Sequence, residues 1–253
     1  MVRDIPVDLE ESDVLSALGA RDRPAPGLST EVDEMLSLGL TLARPAAVWV
    51  RLEVAKMDAK AVEFDDGTIL DGRFMAHCFE GATEAMFLVA TAGEAIEAKV
   101  AELFAEGMSI EAFVLDAVGS ATAKDAFSHT IQQIYNETTD RGWHTGLCLR
   151  PGQTYWDISG QQVLFGVVPS EKIGVSLLPS YAMLPKKSQS AVLPLGPDLK
   201  IHGDPDKSYC RYCAAKRCPM RREEPTTEEL GGPAKPTSRA GDERATSREE
   251  RKN

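Results

Sequence analysis

Three thiols stand within nine residues near the C-terminus, in the order Cys210-x2-Cys213-x4-Cys218-Pro219. Thiolates bind soft or borderline metals, and a Cys-x2-Cys pair closes a chelating turn with both sulfurs facing one ion. Cys218 supplies a third ligand. A fourth has to come from Cys78, Cys148, His202, another chain, or an open position. Arg211, Lys216, Arg217, Arg221 and Arg222 surround the triplet. Such basic neighbours favour the thiolate form and offset the negative charge of a cluster. Bacterial ferredoxin runs also end in Cys-Pro, but their spacing is x2, x2, x3, so this is no ferredoxin domain. Zinc, an iron–sulfur cluster and three reduced thiols all fit the pattern. His77, His129 and His144 form no metal spacing and read as packed or surface residues. The chain carries no Ser-His-Asp signature, P-loop or dinucleotide fingerprint.

Composition bounds the partners. The chain has 253 residues, 43% of them hydrophobic, enough for one large domain or two small ones. Aromatic residues make up only 6%, so aliphatic side chains fill most of the interior. A formal net charge of −11 argues against general nucleic-acid binding, which needs clustered Lys and Arg. No apolar run approaches the roughly 20 residues of a membrane span. The mixed charges of residues 1–15 match neither a secretory signal nor a transit peptide. Five cysteines, an odd number with three clustered, do not form a secreted disulfide framework. The cytoplasm is the expected compartment.

The elements follow from periodicity and punctuation. A short helix is expected over 11–18. A second begins at Ser29 or Thr30 as cap, gains from Glu31, Asp33 and Glu34 in its first turn, and ends before Pro45. Residues 47–54 read as a strand, and Asp65-Asp66-Gly67 between 62–64 and 68–70 signals a hairpin. The apolar run 85–91 is a buried-strand candidate. Long helices follow over 94–105 and 109 to about 135, with Gly119-Ser120 inside the second. A mid-helix Gly costs about 1 kcal/mol against Ala and marks close packing or a ligand. Strands are expected over 144–149, 173–178 and 189–195, and a helix over 157–168 capped by Asp157. Residues 197–207 read as a polar connector. From 221 onward the chain is densely charged and nearly devoid of apolar residues, the composition of a disordered tail.

Four pieces, taken in order and spacing, form a pattern. They are Leu15-x-x-Leu18-Gly19, Leu115-Asp116-Ala117-Val118-Gly119-Ser120, Pro151-Gly152-x3-Trp156-x4-Gln161, and the block from Ser180 through Tyr181, Pro185 and Lys187 to Ser188. The chain thereby resembles stand-alone versions of the activation domain of vitamin B12-dependent methionine synthase, over most of residues 5–196. The resemblance implies an α+β fold, a curved antiparallel sheet with flanking helices, and a role in repair. Cob(II)alamin formed by accidental oxidation is reduced, and methyl transfer from S-adenosylmethionine traps it as methylcobalamin. The chain has no Asp-x-His-x-x-Gly corrinoid motif, so cobalamin would arrive on a partner, a corrinoid-dependent methionine synthase or another corrinoid protein.

The same resemblance implies a ligand set of Arg150, Gly152, Trp156 and Tyr181. Arg150 can clamp a carboxylate bidentately, and Gly152 lets the backbone approach closely. Trp156 and Tyr155 offer faces for an adenine or a sulfonium, and Tyr181 a hydroxyl to orient the methyl donor. Two departures stand out. Lys124, beside Asp125, occupies the place of a glutamate usual in the family, and Leu178-Pro179 replaces a Thr-Glu pair. A lysine there opposes a cationic ligand. The implied chemistry needs a low-potential electron, which favours an iron–sulfur cluster over zinc at Cys210, Cys213 and Cys218. The expected organisation is an activation-like domain over 1–196, a Cys-rich metal-binding segment over 197–222 and a disordered tail over 223–253. Two alternatives stand beside it: a metal-binding adaptor that docks on a corrinoid protein without catalysis, and an activator of another corrinoid methyltransferase.

Overall fold

The computed structural model describes residues 2–20, 27–153 and 156–203. The first half comprises strand β1 (Val2–Asp4), helices α1 (Glu11–Ala17) and α2 (Leu28–Leu42), strands β2 (Ala46–Met57), β3 (Ala61–Phe64) and β4 (Ile69–Asp71), helix α3 (Arg73–Cys78) and strand β5 (Glu84–Thr91). The second comprises helices α4 (Ala95–Ala105) and α5 (Ser109–Asp140), strand β6 (His144–Thr145), helix α6 (Gln161–Val167), and strands β7 (Ser176–Leu177), β8 (Met183–Leu184) and β9 (Ser188–Gly196). Short 3-10 turns cover Ile158–Gly160 and Ser170–Ile173.

β5 is apolar and buried from Ala85 to Thr91, so both of its faces need cover. It forms the centre of an antiparallel sheet ordered β4-β3-β2-β5-β9-β6, with β1 added beside β2. Eight residue pairs join β2 to β5, from Ala46↔Thr91 to Glu53↔Glu84, and eight join β5 to β9, from Glu84↔Leu195 to Thr91↔Ser188. The sheet curls, and the result is the expected α+β class with a curved antiparallel sheet.

Alternation along the strands divides the interior. Trp49, Met86, Leu88, Leu193 and Leu195 meet Phe127, Ile131 and Ile134 of α5 on one face. Val48, Phe87, Val89 and Val192 meet α3, α6 and the β3–β4 hairpin on the other. There Phe64 sits edge-on to both Phe79 and Phe87, with ring centroids 5.9 and 5.2 Å apart. A third cluster packs α1, α2 and α4 around the N-terminal half of α5. Helix α5 runs 32 residues, about 48 Å at 1.5 Å per residue. It buries Thr122, Thr130 and Thr138 at little cost because each hydroxyl donates to the carbonyl four residues earlier, at 2.7–2.8 Å.

The β3–β4 turn forms as expected. Gly67 takes φ 85° and Thr68 N–H donates to Asp66 Oδ1 at 2.8 Å. Asp157 caps the turn into α6 through Ser159 N–H at 2.9 Å. Other expectations shift. Helix α2 begins at Leu28 with Gly27 at φ 84° as its N-cap, so Ser29 and Thr30 lie within the first turn and cap nothing. Helix α5 continues to Asp140, past the expected end near 135. The strand expected over 144–149 shrinks to two residues and one bridge, Leu149↔Val192. Opposite it stands Pro194, which has no N–H to donate, and four steps from Thr145 to Leu149 match only three from Leu195 to Val192. The strand expected over 173–178 survives only at Ser176–Leu177, because Gly174 turns the chain at φ 70°. Helix α3 was not foreseen; six residues are too few to show a helical period.

Leu199 is buried, Lys200 N–H donates to Glu80 O and Gly203 N–H to Thr145 O, so the folded part reaches at least Gly203. Cys210, Cys213, Cys218 and the expected charged tail lie outside the described residues. Among the described residues, no helix is long and apolar enough to cross a membrane.

Candidate functional site

Strand β9 organises the candidate site. Three segments singled out in the sequence attach to it: the loop carrying Arg150, Gly152 and Trp156, the β7–β8 hairpin carrying Tyr181, and the middle of α5 carrying Gly119-Ser120. The loop is tied at both ends. Leu149 and Val192 exchange backbone bonds of 2.9 Å, and Ser190 Oγ donates to the buried Gln161 Oε1 at 2.9 Å.

Arg150 follows the Leu149 bridge and turns to the α5 face of the sheet. Its guanidinium carbon lies 4.2 Å from the centroid of the Phe127 ring, and Nη1 donates to Gln189 Oε1 at 3.0 Å. Stacking plus one hydrogen bond hold the planar cation in one orientation. Gly152 takes φ 85°, a left-handed turn whose N–H donates to Trp156 O at 2.8 Å. A Cβ there would sit 3.0 Å from Ile158 Cδ1. Trp156 packs toward the opposite face of the sheet, against the core around Phe87. Its indole lies so close over Gly160 that a Cβ would stand 2.2 Å from Nε1. Tyr181 is half-buried at φ 63°, and its N–H closes the hairpin turn onto Leu178 O at 2.8 Å. Tyr155 lies outside the described residues.

Sequence reading passed over two glutamines here. Gln189 orients Arg150. Gln153, next to Gly152, has its Oε1 buried without a hydrogen-bond partner among the described residues. A buried acceptor left without a donor is costly, so among the described residues the loop presents an acceptor with no partner, close in sequence to a fixed cation. That combination suits a zwitterion, a carboxylate for Arg150 and an ammonium for Gln153. Composition gives no signal for either glutamine, because only tertiary contacts bring them to Arg150 or bury them.

The Gly119-Ser120 pair and the block ending in Ser188 meet each other. Lys187 Nζ donates to Ser120 Oγ at 2.8 Å and pairs with Asp116 Oδ1 at 2.8 Å. Its own N–H donates to Glu97 Oε1 at 2.6 Å, and Ser188 Oγ donates to Thr91 Oγ1 at 2.9 Å. Gly119 lacks the Cβ that would crowd Ile96 Cγ2 at 2.9 Å and Lys187 Cγ at 3.2 Å. These residues thus clasp α4, α5, β5 and β9 together. Lys124 is exposed on α5, one turn before Phe127, and adds positive charge near the ring that carries Arg150. Pro179 is exposed in the hairpin turn.

Two clefts, of about 250 and 240 Å3, open around the C-terminal end of α5. Trp143, His144, Thr145 and His202 line the first; Arg51, Met86 and Arg141 are among those lining the second. None of the four candidate ligand residues lines either cleft. We place the candidate site at Arg150 on chemistry rather than depth: it has an oriented cation and, among the described residues, a buried acceptor without a partner.

Of the proposed fourth metal ligands, burial pushes the Cys78 thiol up to about 12, with Glu80 adding to the effect, so it disfavours a thiolate. Cys148 is half-buried beside the α5-facing core. His202 Nε2 lies 2.9 Å from Leu199 O and its ring stacks on His144 at 4.2 Å. Among the described residues, no three His, Cys, Asp or Glu side chains gather as a metal site.

No protein-family model matches the sequence, and no match was found among curated proteins. The structure is similar to a solved MetH reactivation domain bound to AdoHcy, with a TM-score of 0.57 over 80% of this chain and 81% of that one. The two are 12% identical, a likeness that shows the fold.

Proposed function

We propose that this chain is a stand-alone reactivation component for a corrinoid-dependent methionine synthase and that it binds S-adenosylmethionine at the Arg150 loop. The observation that carries the reading is the pre-oriented Arg150 guanidinium, on a fold similar to a reactivation domain crystallised with AdoHcy, with the Gln153 acceptor, which has no partner among the described residues, in the same loop. The amino-acid end of such a ligand offers a carboxylate to the first and an ammonium to the second. Tyr181 offers half-buried aromatic surface for the remainder, whereas Trp156, turned to the other face of the sheet, braces the loop against the core. When bound, the sulfonium supplies a methyl cation to reduced cobalt on the partner and leaves as S-adenosylhomocysteine. The chain's own residues hold and orient that donor. Electron delivery falls to a donor outside this domain or to a metal centre at Cys210, Cys213 and Cys218. This role belongs in the cytoplasm.

Calorimetric titration with S-adenosylhomocysteine tests the site. Wild-type protein should bind it, and Arg150→Ala should weaken binding by roughly 10- to 100-fold, the equivalent of a charge-assisted contact of about 1.5–3 kcal/mol. Added with S-adenosylmethionine and a reductant, the protein should convert cob(II)alamin on a methionine synthase partner to methylcobalamin, followed by absorbance. If wild-type protein neither binds S-adenosylhomocysteine nor changes the cobalt spectrum, the adaptor reading replaces this one, with Lys124 and Pro179 as its physical reason.

A further inference from the structure

Four large apolar side chains stand exposed within ten residues, at the corner where α4 turns into α5. Phe104 is 51% exposed, Met108 38%, Ile110 66% and Phe113 60%. The fold does not need them outside. The inward faces of the same helices are filled by Val100, Leu103, Val114 and Leu115. Ile110 and Phe113 share one helix face at i, i+3, and Gly107 closes the corner tightly onto Phe104 O at 3.2 Å. Surface helix positions are ordinarily polar, and an apolar group rimmed by charge marks an interaction surface.

The rim is acidic. Glu106 and Glu111 flank the apolar residues in sequence, and the first turn of α2 brings Glu31 within the field of Glu111, with Glu34 also acting on Glu31. Desolvation, then Glu111 and Glu34, push the Glu31 carboxyl above its usual range. One of its oxygens is shielded from solvent with no partner among the described residues. Lys99, the basic residue of α4, is engaged by Glu102 at 3.0 Å. The corner therefore combines exposed apolar groups with carboxylates that repel one another.

We propose that this corner docks a cationic amphipathic helix of a partner protein. Its apolar stripe would cover Phe104, Ile110 and Phe113, and its Lys or Arg residues would meet Glu31, Glu106 and Glu111. A second copy of this chain is a poor occupant, since a two-fold pair would set the acidic rim against itself. An anionic membrane surface meets the same repulsion.

The test is an NMR and anisotropy titration of the full chain with an 18-residue Leu/Lys peptide patterned for one apolar helix face. A peptide of the same composition, reordered to have no such face, serves as comparison. Saturable binding of the first peptide is expected, with shifts centred on residues 28–35 and 102–113 and at least tenfold weaker binding of the second. The Ile110→Asp/Phe113→Asp variant should lose at least tenfold. Glu31→Gln/Glu111→Gln, which leaves the apolar face intact, should lose a few-fold and flatten the salt dependence. Equal binding of both peptides, shifts elsewhere, or unchanged affinity in both variants overturns the proposal. So does a wild-type dimer in sedimentation velocity that Phe113→Asp dissolves, or binding to anionic vesicles that the same variant abolishes.

Discussion

Lys187→Met removes an ammonium group and keeps the aliphatic stem that lies over Gly119. The side chain is 13% exposed and its nitrogen bridges Ser120 Oγ and Asp116 Oδ1, both at 2.8 Å. Asp116 is 48% exposed, so the ion pair itself is screened and worth no more than about 1 kcal/mol. The bond to the more shielded Ser120 hydroxyl is charge-assisted, worth roughly 1.5–3 kcal/mol, less the desolvation that the wild-type ammonium bears. The balance is a loss of about 1.5–2.5 kcal/mol. At roughly 2–4 °C per kcal/mol for a fold of this size, Tm should drop by about 3–10 °C. Lys187 N–H still reaches Glu97, so the loss should be local. Thermal unfolding followed by circular dichroism gives the shift, and hydrogen exchange should quicken at residues 186–190. Asp116→Asn should cost less than Lys187→Met, and the double-mutant cycle should return a coupling of roughly 0.5–1 kcal/mol. A Lys187→Met protein melting within about 1 °C of wild type, or a coupling near zero, would refute the clasp.

Two glycines should respond oppositely to alanine. Gly81→Ala should cost more than about 2 kcal/mol, because Gly81 sits at φ 82° with Asp198 O only 2.0 Å from where the Cβ would stand. Gly166→Ala, in open space on α6, should gain roughly 0.5–1 kcal/mol; denaturant melts that reverse the two signs contradict the packing described. The hydrogen-bonded Arg141 guanidinium, ahead of the charges of Arg141 and Arg51, holds the Glu84 carboxyl below its usual range. A depressed carboxylate stabilises the fold above its unfolded value of about 4.3, and that stability is lost as pH falls through the lower folded value. Glu84→Gln should therefore melt a few degrees lower at pH 7 and converge with wild type once the pH has fallen below the lowered folded value; a gap that persists where the Glu84 carboxyl is protonated rules out the linkage. Anaerobically prepared protein should carry iron and sulfide, or zinc, and Cys213→Ser should lose most of it because a hydroxyl is a poor ligand for soft metals. Unchanged metal content in that variant removes the cysteine assignment.

Much of the scaffold was legible before any coordinates. The apolar run of β5, the Asp65-Asp66-Gly67 turn and the long helical periods of α4 and α5 each depend on residues close in sequence, and each formed. The failures have two causes. Gly27 displaced Ser29 and Thr30 as the cap and Gly174 broke a strand, each by a left-handed backbone turn of its own. Pro194 cut β6 short from the facing strand some fifty residues away, a neighbour in space overriding local propensity.

The amino-acid sequence by itself determined the local elements, the long helices, the buried strand and the hairpin turn, and the residue types able to grip a carboxylate or a soft metal; the α+β class with its curved antiparallel sheet was what the resemblance carried by its motifs implied. Local period and side-chain chemistry are present in the chain before it folds. Only the tertiary structure decided what each motif residue does. It set Arg150 on Phe127 and Gln189, across 23 and 39 residues of sequence, and turned Trp156 to the other face of the sheet. It gave Gly119, Ser120 and Lys187 to a clasp between helices and strands, and left the Gln153 acceptor buried without a donor among the described residues. Such roles arise from contacts between distant segments, and a hydrogen bond depends on where two groups meet rather than on how far apart they lie along the chain.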